Sequence, residues 1–499
     1  MHVTTVHDPA ALERLRSPRN DVVIEREDGP DRFVAARGPF RRYERTLAVG
    51  TGGVVETTTF ALAVPFWWLL FALPYRWAMR RPVERRDRSP WWAPPDPPDG
   101  RAATSLGMLC SLGLIDGYVG TLLTQTITYS AREFGADRAA QGTVLAVVRA
   151  GALVALAAGA LADRRGRRRT MLVCATGACV FAAMGALAPN FAVLTVTQLA
   201  AAGCAGALGV LLAIVSAEEV PAGTRAYALS LLVMTGALGA GMCVWALPLA
   251  DTGTRGWRAV YALALLGLVV VVLVRRRLPE SRRYEERHAA ATAMSERARR
   301  LALLAAIGFL AALFIAPAFQ FQNDFLRRER GFSAARIALF TVVTSTPASI
   351  GIVAGGRLSD VHGRRVVGVV GLLGGTAATV AVFAAHGWPM WAWAIAGGVV
   401  GGLVVPALGV YRPELFPTAL RGRAAGVLEV IALAGSATGL LTVGHLADRW
   451  GSYTGPIAIA GCSALAVAVL VLLLPETAGH SLEHLNPEDV LSGPSAASP

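Results

Sequence analysis

Twelve separate stretches of this chain are long and apolar enough to cross a bilayer as helices, which excludes nearly every soluble fold. A hydrocarbon core of about 30 Å needs about 20 apolar residues in helical form, with Gly and Ala tolerated where helices pack closely. The stretches run approximately over residues 102–128, 141–162, 170–189, 191–217, 226–250, 257–274, 301–323, 334–358, 366–386, 390–411, 424–447 and 453–474. Composition agrees: 54% of the 499 residues are hydrophobic and only 16% charged, too few charges for a typical soluble protein of this size. The expected fold is an all-α membrane protein of twelve transmembrane helices.

The charges that remain narrow the function. The sequence contains no lysine, so all 47 basic residues are arginine. A P-loop and Schiff-base chemistry both need a lysine, so neither an ATP-driven pump of that kind nor such an enzyme is encoded. Transport would have to draw on a gradient. The six cysteines all fall in apolar stretches without a CxxC pair, which suits packing rather than a metal or disulfide framework. No cofactor and no nucleic-acid partner are expected.

A charged segment over 275–300 separates the sixth stretch from the seventh. The chain therefore divides into an extension (1–100), a six-helix bundle (101–274), a linker (275–300), a second bundle (301–475) and a tail (476–499). Loops on the side of residue 101 carry more than twice the arginines of the opposite loops, although NDFLRRERGFSAAR carries four on the far side. That bias places both termini in the cytoplasm of an inner-membrane protein. The start lacks the apolar core of a signal peptide. Within the extension, residues 41–63 alternate like two strands around Gly-Thr-Gly-Gly, which predicts a β-hairpin. PFWWLLFALPYRWAMRR then reads as an interfacial helix; a thirteenth span is the rival and would have to bury Glu56 and three threonines. The Pro-rich RSPWWAPPDPPDG is a semi-rigid linker into the first span.

The chain is also duplicated. Gly159, Asp163, Gly166 and Arg167 return as Gly356, Asp360, Gly363 and Arg364, each 197 residues later. Glu218, Pro221 and Arg225 return as Glu414, Pro417 and Arg421 after 196, as does LeuProGlu at 278–280 at 474–476. LeuAlaAsp at 249–251 returns at 446–448 after 197. Each pair falls at the corresponding helix end, as expected of two pseudo-symmetric six-helix bundles.

At these residues the chain resembles the major facilitator superfamily over roughly 101–485, with Gly159–Arg169 as the most specific signature. PESRRY at 279–284, PELFPTALRG at 413–422 and PETAGHSLE at 475–483 are similar to its sugar-porter and organic-ion branch. FIAPAFQFQNDF, in the seventh span, lacks the double-glutamine pattern of hexose carriers. IleAspGlyTyr at 115–118 is similar to half of the Asp-Gly-x-Asp motif of proton-coupled carriers for aromatic and other organic acids, with Val119 in place of the second aspartate. The resemblance implies a secondary transporter that rocks its halves around a central site.

Opposite charges at equivalent helix ends suit a gate: Asp163 with Arg164 and Arg167, Glu218 with Arg225, and Asp360, Arg364, Glu414 and Arg421 in the second copy. An exposed pair contributes only about 0–1 kcal/mol, so such pairs can separate into water. The alternative is that the arginines set topology and that Gly159, Gly166, Gly356 and Gly363 make tight contacts and turns. Glu280 and Glu476 either join these networks or are solvated turn residues.

Ionisable groups at membrane depth are functional candidates by default. Asp116 lies 14 residues into the first span and Arg149 lies 14 residues before Asp163, so both sit roughly 21 Å from the cytoplasmic side and an ion pair is expected. Asp116 would take a proton or a cationic group, and Arg149 would offset its charge or hold an anionic substrate. The alternative is a static packing pair. Glu429 is either a second protonatable site on the cavity or snorkels to the interface. Gln320, Gln322, Asn323 and Asp324, among several phenylalanines, make a candidate pocket for a ring-bearing solute. Trp245 and Trp257 read as interfacial anchors.

The function expected is proton-coupled symport of a small organic or aromatic acid by a monomer. A drug or metabolite exporter, a sugar facilitator, or a membrane sensor signalling through the extension are the alternatives.

Overall fold

The structure, a computed structural model, describes residues 1–50, 53–281 and 294–486. The middle of the predicted linker, two residues of the predicted hairpin turn and the end of the tail lie outside the described residues.

The extension is a sheet domain larger than the predicted hairpin. The long hairpin is present, as β4 (Phe40–Gly50) and β5 (Gly53–Leu62). Three further strands join it: β1 (His2–His7), β2 (Ile24–Glu27) and β3 (Arg32–Arg37). All neighbours are antiparallel in the order β1-β5-β4-β3-β2. Residue 56 is thus in a strand, and no thirteenth span forms there. The predicted interfacial helix is α1 (Trp68–Met79), 12 residues long, about 18 Å at 1.5 Å per residue and too short to cross. It lays Tyr75 and Met79 onto Phe40, Phe60 and Val23 of the sheet.

Charge is buried beneath this sheet without being left unpaired. Arg45 contacts Glu25 at 2.7 Å, Arg19 contacts Asp21 at 2.9 Å, and Arg86 contacts Glu56 at 2.6 Å. Burial alone would favour protonated Glu56, but hydrogen bonds and charge from Arg86, with help from Arg45 and His7, hold its carboxyl down to about 2. The stability this provides is complete above the ordinary value of 4.5 and is lost only as pH falls through about 2.

Helices account for nearly all the rest. In the first bundle they are α2 (Gly100–Phe134), α3 (Arg138–Arg149), α4 (Ala152–Arg165), α5 (Arg167–Gly185), α6 (Phe191–Glu219), α7 (Arg225–Ala246) and α8 (Trp257–Arg275). The second holds α9 (Met294–Gln320), α10 (Ala334–Ser345), α11 (Ala348–His362), α12 (Arg364–Ala384), α13 (Trp388–Glu414), α14 (Arg421–Trp450) and α15 (Thr454–Leu473). Eleven helices among the described residues are long and apolar enough to cross a membrane. The helix at the third predicted position, α5, spans 19 residues and opens on three arginines, which dilute its apolar length. It occupies the place that α12 holds in the second copy.

The second and eighth spans both break midway, at Ala150–Gly151 between α3 and α4 and at Thr346–Pro347 between α10 and α11. Pro347 lies 197 residues after Ala150, so the duplication extends to the kinks. The bundles touch along two interfaces, α4 with α14 and α7 with α11. At the first, Gly159 and Gly422 lie backbone to backbone, and a Cβ on either would run into the other's carbonyl. Trp257, expected as an interfacial anchor, is instead fully buried and donates to Glu133 at 2.8 Å.

Candidate functional site

The duplicated motif builds two matching clusters on one face of the molecule. Each starts at a turn that only glycine adopts without strain: Gly166 and Gly363 have φ of 104° and 95°. Each turn delivers a helix whose first N–H groups need acceptors. Glu280 accepts from the N–H groups of Arg167 and Arg168 at 3.0 and 2.9 Å, and Glu476 accepts from Arg364 and Arg365 at 3.0 and 3.2 Å.

The aspartates reach across to the opposite bundle. Asp163 accepts from the N–H groups of Gly422 and Arg423, at 3.1 and 3.0 Å, at the start of α14. Asp360 accepts from Ala226 and Tyr227, at 3.2 and 2.9 Å, at the start of α7. A carboxylate at a helix N-terminus meets both unpaired donors and the positive end of the dipole. Beside each aspartate a glutamate sits between two arginines: Glu218 contacts Arg167 and Arg421, and Glu414 contacts Arg364 at 2.6 Å and Arg225 at 3.1 Å. Arg225 also donates to the tail carbonyl of His480 at 3.0 Å. Arg164 stays exposed at the end of α4.

These pairs differ in one respect from the exposed pairs expected. Asp163, Arg167, Glu218, Arg225, Arg364, Glu414 and Arg421 are all buried, and the carboxyl side chain of Asp360 is shielded as well. Buried pairing has a large Coulomb gain offset by a desolvation cost of similar size. Separation into water recovers the second as it loses the first, so a buried network can still open at modest net cost.

The in-membrane candidates are distributed differently from the expected pair. Asp116 lines a cavity of about 480 Å³ between α2, α6 and α7, walled by Gly113, Gly117, Gly120, Gly209 and Gly236. Its carboxyl fits against α6 because position 209 lacks a side chain: a Cβ there would lie 3.0 Å from the carboxylate oxygen. Among the described residues Asp116 has no hydrogen-bond or ion-pair partner. Arg149 does not meet it; its guanidinium donates to Gln320 of α9 at 3.1 Å, joining the two bundles. Rise per residue gave equal depth, but the two side chains leave their helices in different directions.

The polar cluster of the seventh span also separates. Gln322 lines an apolar cavity of about 350 Å³ with Phe314, Phe319, Phe383, Thr344 and Thr379 inside the second bundle. Asn323 is exposed. Asp324 accepts from the Tyr453 hydroxyl at 2.7 Å and pairs with Arg328 at 2.8 Å, an anchoring role at the helix end. Glu429 does not stand alone: Arg412 donates to it at 2.8 Å, and both side chains are partly exposed. Arg412 lies one residue past the tenth apolar stretch, so apolar length alone does not reveal its pairing with Glu429.

Missed as well was what lies over the second cluster. The Pro-rich segment before α2 runs across the starts of α7 and the end of α11. Arg357 of α11 donates to the carbonyls of Ala93 and, at 3.1 Å, Ser89. Tyr227 and Thr224 donate their hydroxyls to the carbonyls of Trp92, at 2.8 Å, and Asp96.

Two helical bundles that meet at duplicated charge clusters, each with a cavity of its own, define a multi-pass membrane transporter. The chain belongs to the Major Facilitator Superfamily, whose description matches residues 108–324 and 301–494. It is 24% identical over 358 residues to the cis,cis-muconate transport protein of Acinetobacter baylyi, covering 67% of this chain and 85% of that one. It is 26% identical over 348 residues to a putative metabolite transport protein of Haemophilus influenzae, covering 65% and 84%. Among solved structures, the proton:xylose symporter XylE aligns with a TM-score of 0.66 at 18% identity, over 77% of this chain and 98% of that chain. The human organic anion transporter MFSD10 aligns at 0.61 and 16% identity, over 74% and 98%. These relatives are transporters, not enzymes.

Proposed function

We propose that the protein is an inner-membrane, proton-coupled symporter of a small organic or aromatic acid, working as a monomer by alternating access with both termini cytoplasmic. The observation that carries this is Asp116: a carboxyl that has no polar partner among the described residues, set into a glycine-walled cavity. Protonation of such a group removes a charge before it must pass through a closed, dry site. Arg149, bridging the bundles through Gln320, offers a planar fork to a substrate carboxylate in exchange for an amide. The muconate transport relative and the organic anion transporter support an acidic substrate. In this orientation α1 lies on the bilayer surface, with Trp68, Leu69, Leu70, Leu73 and Trp77 exposed toward lipid.

The test uses proteoliposomes with an imposed inward proton gradient and a panel of labelled aromatic acids, small organic acids, sugars and cations. An acid is expected to accumulate uphill. Asp116→Asn is expected to keep substrate counterflow and lose accumulation. Undiminished uphill uptake by that variant removes Asp116 from coupling.

A further inference from the structure

The extension is tied to the transporter at a place where its grip crosses between the two bundles. Its strap, residues 89–96, is held on one side by Arg357 of α11 in the second bundle and on the other by Thr224 and Tyr227 at the start of α7 in the first. Directly beneath, Asp360 of α11 accepts the N–H groups of Ala226 and Tyr227. The strap therefore spans the same α7–α11 contact that the aspartate closes. Nor is it a slack tether. Trp92 packs edge-on against Tyr75 at 5.3 Å, Asp96 pairs with Arg37 of β3 at 3.1 Å, and Ala93 is buried. The sheet domain holds one edge of the strap while the gate residues hold the other.

The duplication supplies an internal control. Arg357 corresponds to Ala160, Thr224 to Leu420 and Tyr227 to Arg423 at the repeat spacings of 197 and 196. Ala160 and Leu420 carry no side-chain donor, and Arg423, which carries one, meets no strap among the described residues. The holding residues are thus departures from the repeat, confined to the copy over which the strap runs, and the charges shared by both copies do not explain them.

We propose that the amino-terminal domain is a clamp on the cytoplasmic gate: through residues 89–96 it holds α7 and α11 together, and one side of the strap must let go before the cytoplasmic face opens. This rests on the reading of that face as the opening face of an alternating-access cycle. The clamp favours the closed state and sets how often the face opens, without touching the substrate cavity.

The experiment is a pulsed electron–electron distance measurement on the full chain in proteoliposomes, with native cysteines replaced by alanine. Spin labels go at Arg165→Cys and His362→Cys, equivalent exposed helix ends on opposite bundles. Arg357→Ala, which installs the other copy's residue, is expected to raise the long-distance, open population several-fold. Arg357→Ala with Tyr227→Phe is expected to raise it further, and Arg357→Lys to restore part of the closed population. Asp360→Ala serves as the reference that breaks the gate itself. If Asp360→Ala opens the face while both strap variants leave the distances unchanged, the clamp is refuted and the gate stands. If none of them moves the distribution, gate and clamp fall together. A strap serving only to fold the domain would lower Tm in the variants with no change in the open fraction, which also refutes the clamp.

Discussion

The two contacts between the bundles are copies of one design, and they have diverged in how they are held. Where α4 meets α14, closure comes from backbone against backbone at Gly159 and Gly422, with Asp163 capping the start of α14. Where α7 meets α11, Asp360 makes the corresponding cap and a third piece of chain lies across it. On the proposed reading, duplication produced two equal latches and the extension turned one of them into a latch with a bolt. The shared part must then be the machinery of closing, and the unshared part a means of setting its threshold.

The largest effects should come from the shared part. Glu218→Ala or Glu414→Ala removes the carboxylate between two buried arginines and leaves Arg167 and Arg364 to their longer contacts with Asp163 and Asp360, a loss of about 3–5 kcal/mol for a broken buried pair. Thermal unfolding in detergent should show large, similar drops for the two variants; a drop in only one would break the equivalence of the copies. Next in size, Asp163→Ala should open the face more than Asp360→Ala in the distance measurement, because only the second contact keeps the strap. The two should become equal in an Arg357→Ala background, and a persistent difference would put the asymmetry elsewhere.

Smaller effects test the caps. Burial works against the charged form of Glu476, but the N–H groups of Arg364, Ala478, Arg365 and Thr477 hold its carboxyl below the ordinary value of 4.5. Its folded value being depressed, the stability it adds is full above pH 4.5 and fades as pH falls further. The Tm advantage of the wild type over Glu476→Gln, a few degrees near neutrality, should therefore shrink on acidification, and a constant gap would contradict the cap. Smallest of all, Ala160→Arg installs the holding arginine where no strap passes and should leave the open fraction unchanged. A shift there would mean that an arginine at this helix position acts without the strap.

Much of this molecule is legible along one dimension. Apolar length and the 196–197 spacing reveal most of the helices and the repeat of the Asp163 and Asp360 motifs, because those features are linear in residue number. Direction around a helix is not. Asp116 and Arg149 share a depth yet face different neighbours, and Trp257 at a helix end turned inward rather than to the interface. Partners brought by distant chain are equally hidden: Arg412 looked like a loop charge until Glu429 folded over it. In the extension, β4 and β5 announced themselves by alternation. Arg26, Glu27 and Arg32 on β2 and β3 carry too much charge to read as strands; all three are exposed, and the strands form only because the rest of the sheet supplies their pairing. The Pro-rich strap reads as a spacer because its hydrogen bonds use its own carbonyls, which every residue possesses.

The contact of Arg225 with the His480 carbonyl has a practical corollary. The start of α7 receives the strap through Thr224 and the segment around His480 through Arg225, so two pieces of chain far apart in sequence converge on a single corner. A substitution in either piece is expected to change turnover by straining that shared corner, even though it sits far from the cavity.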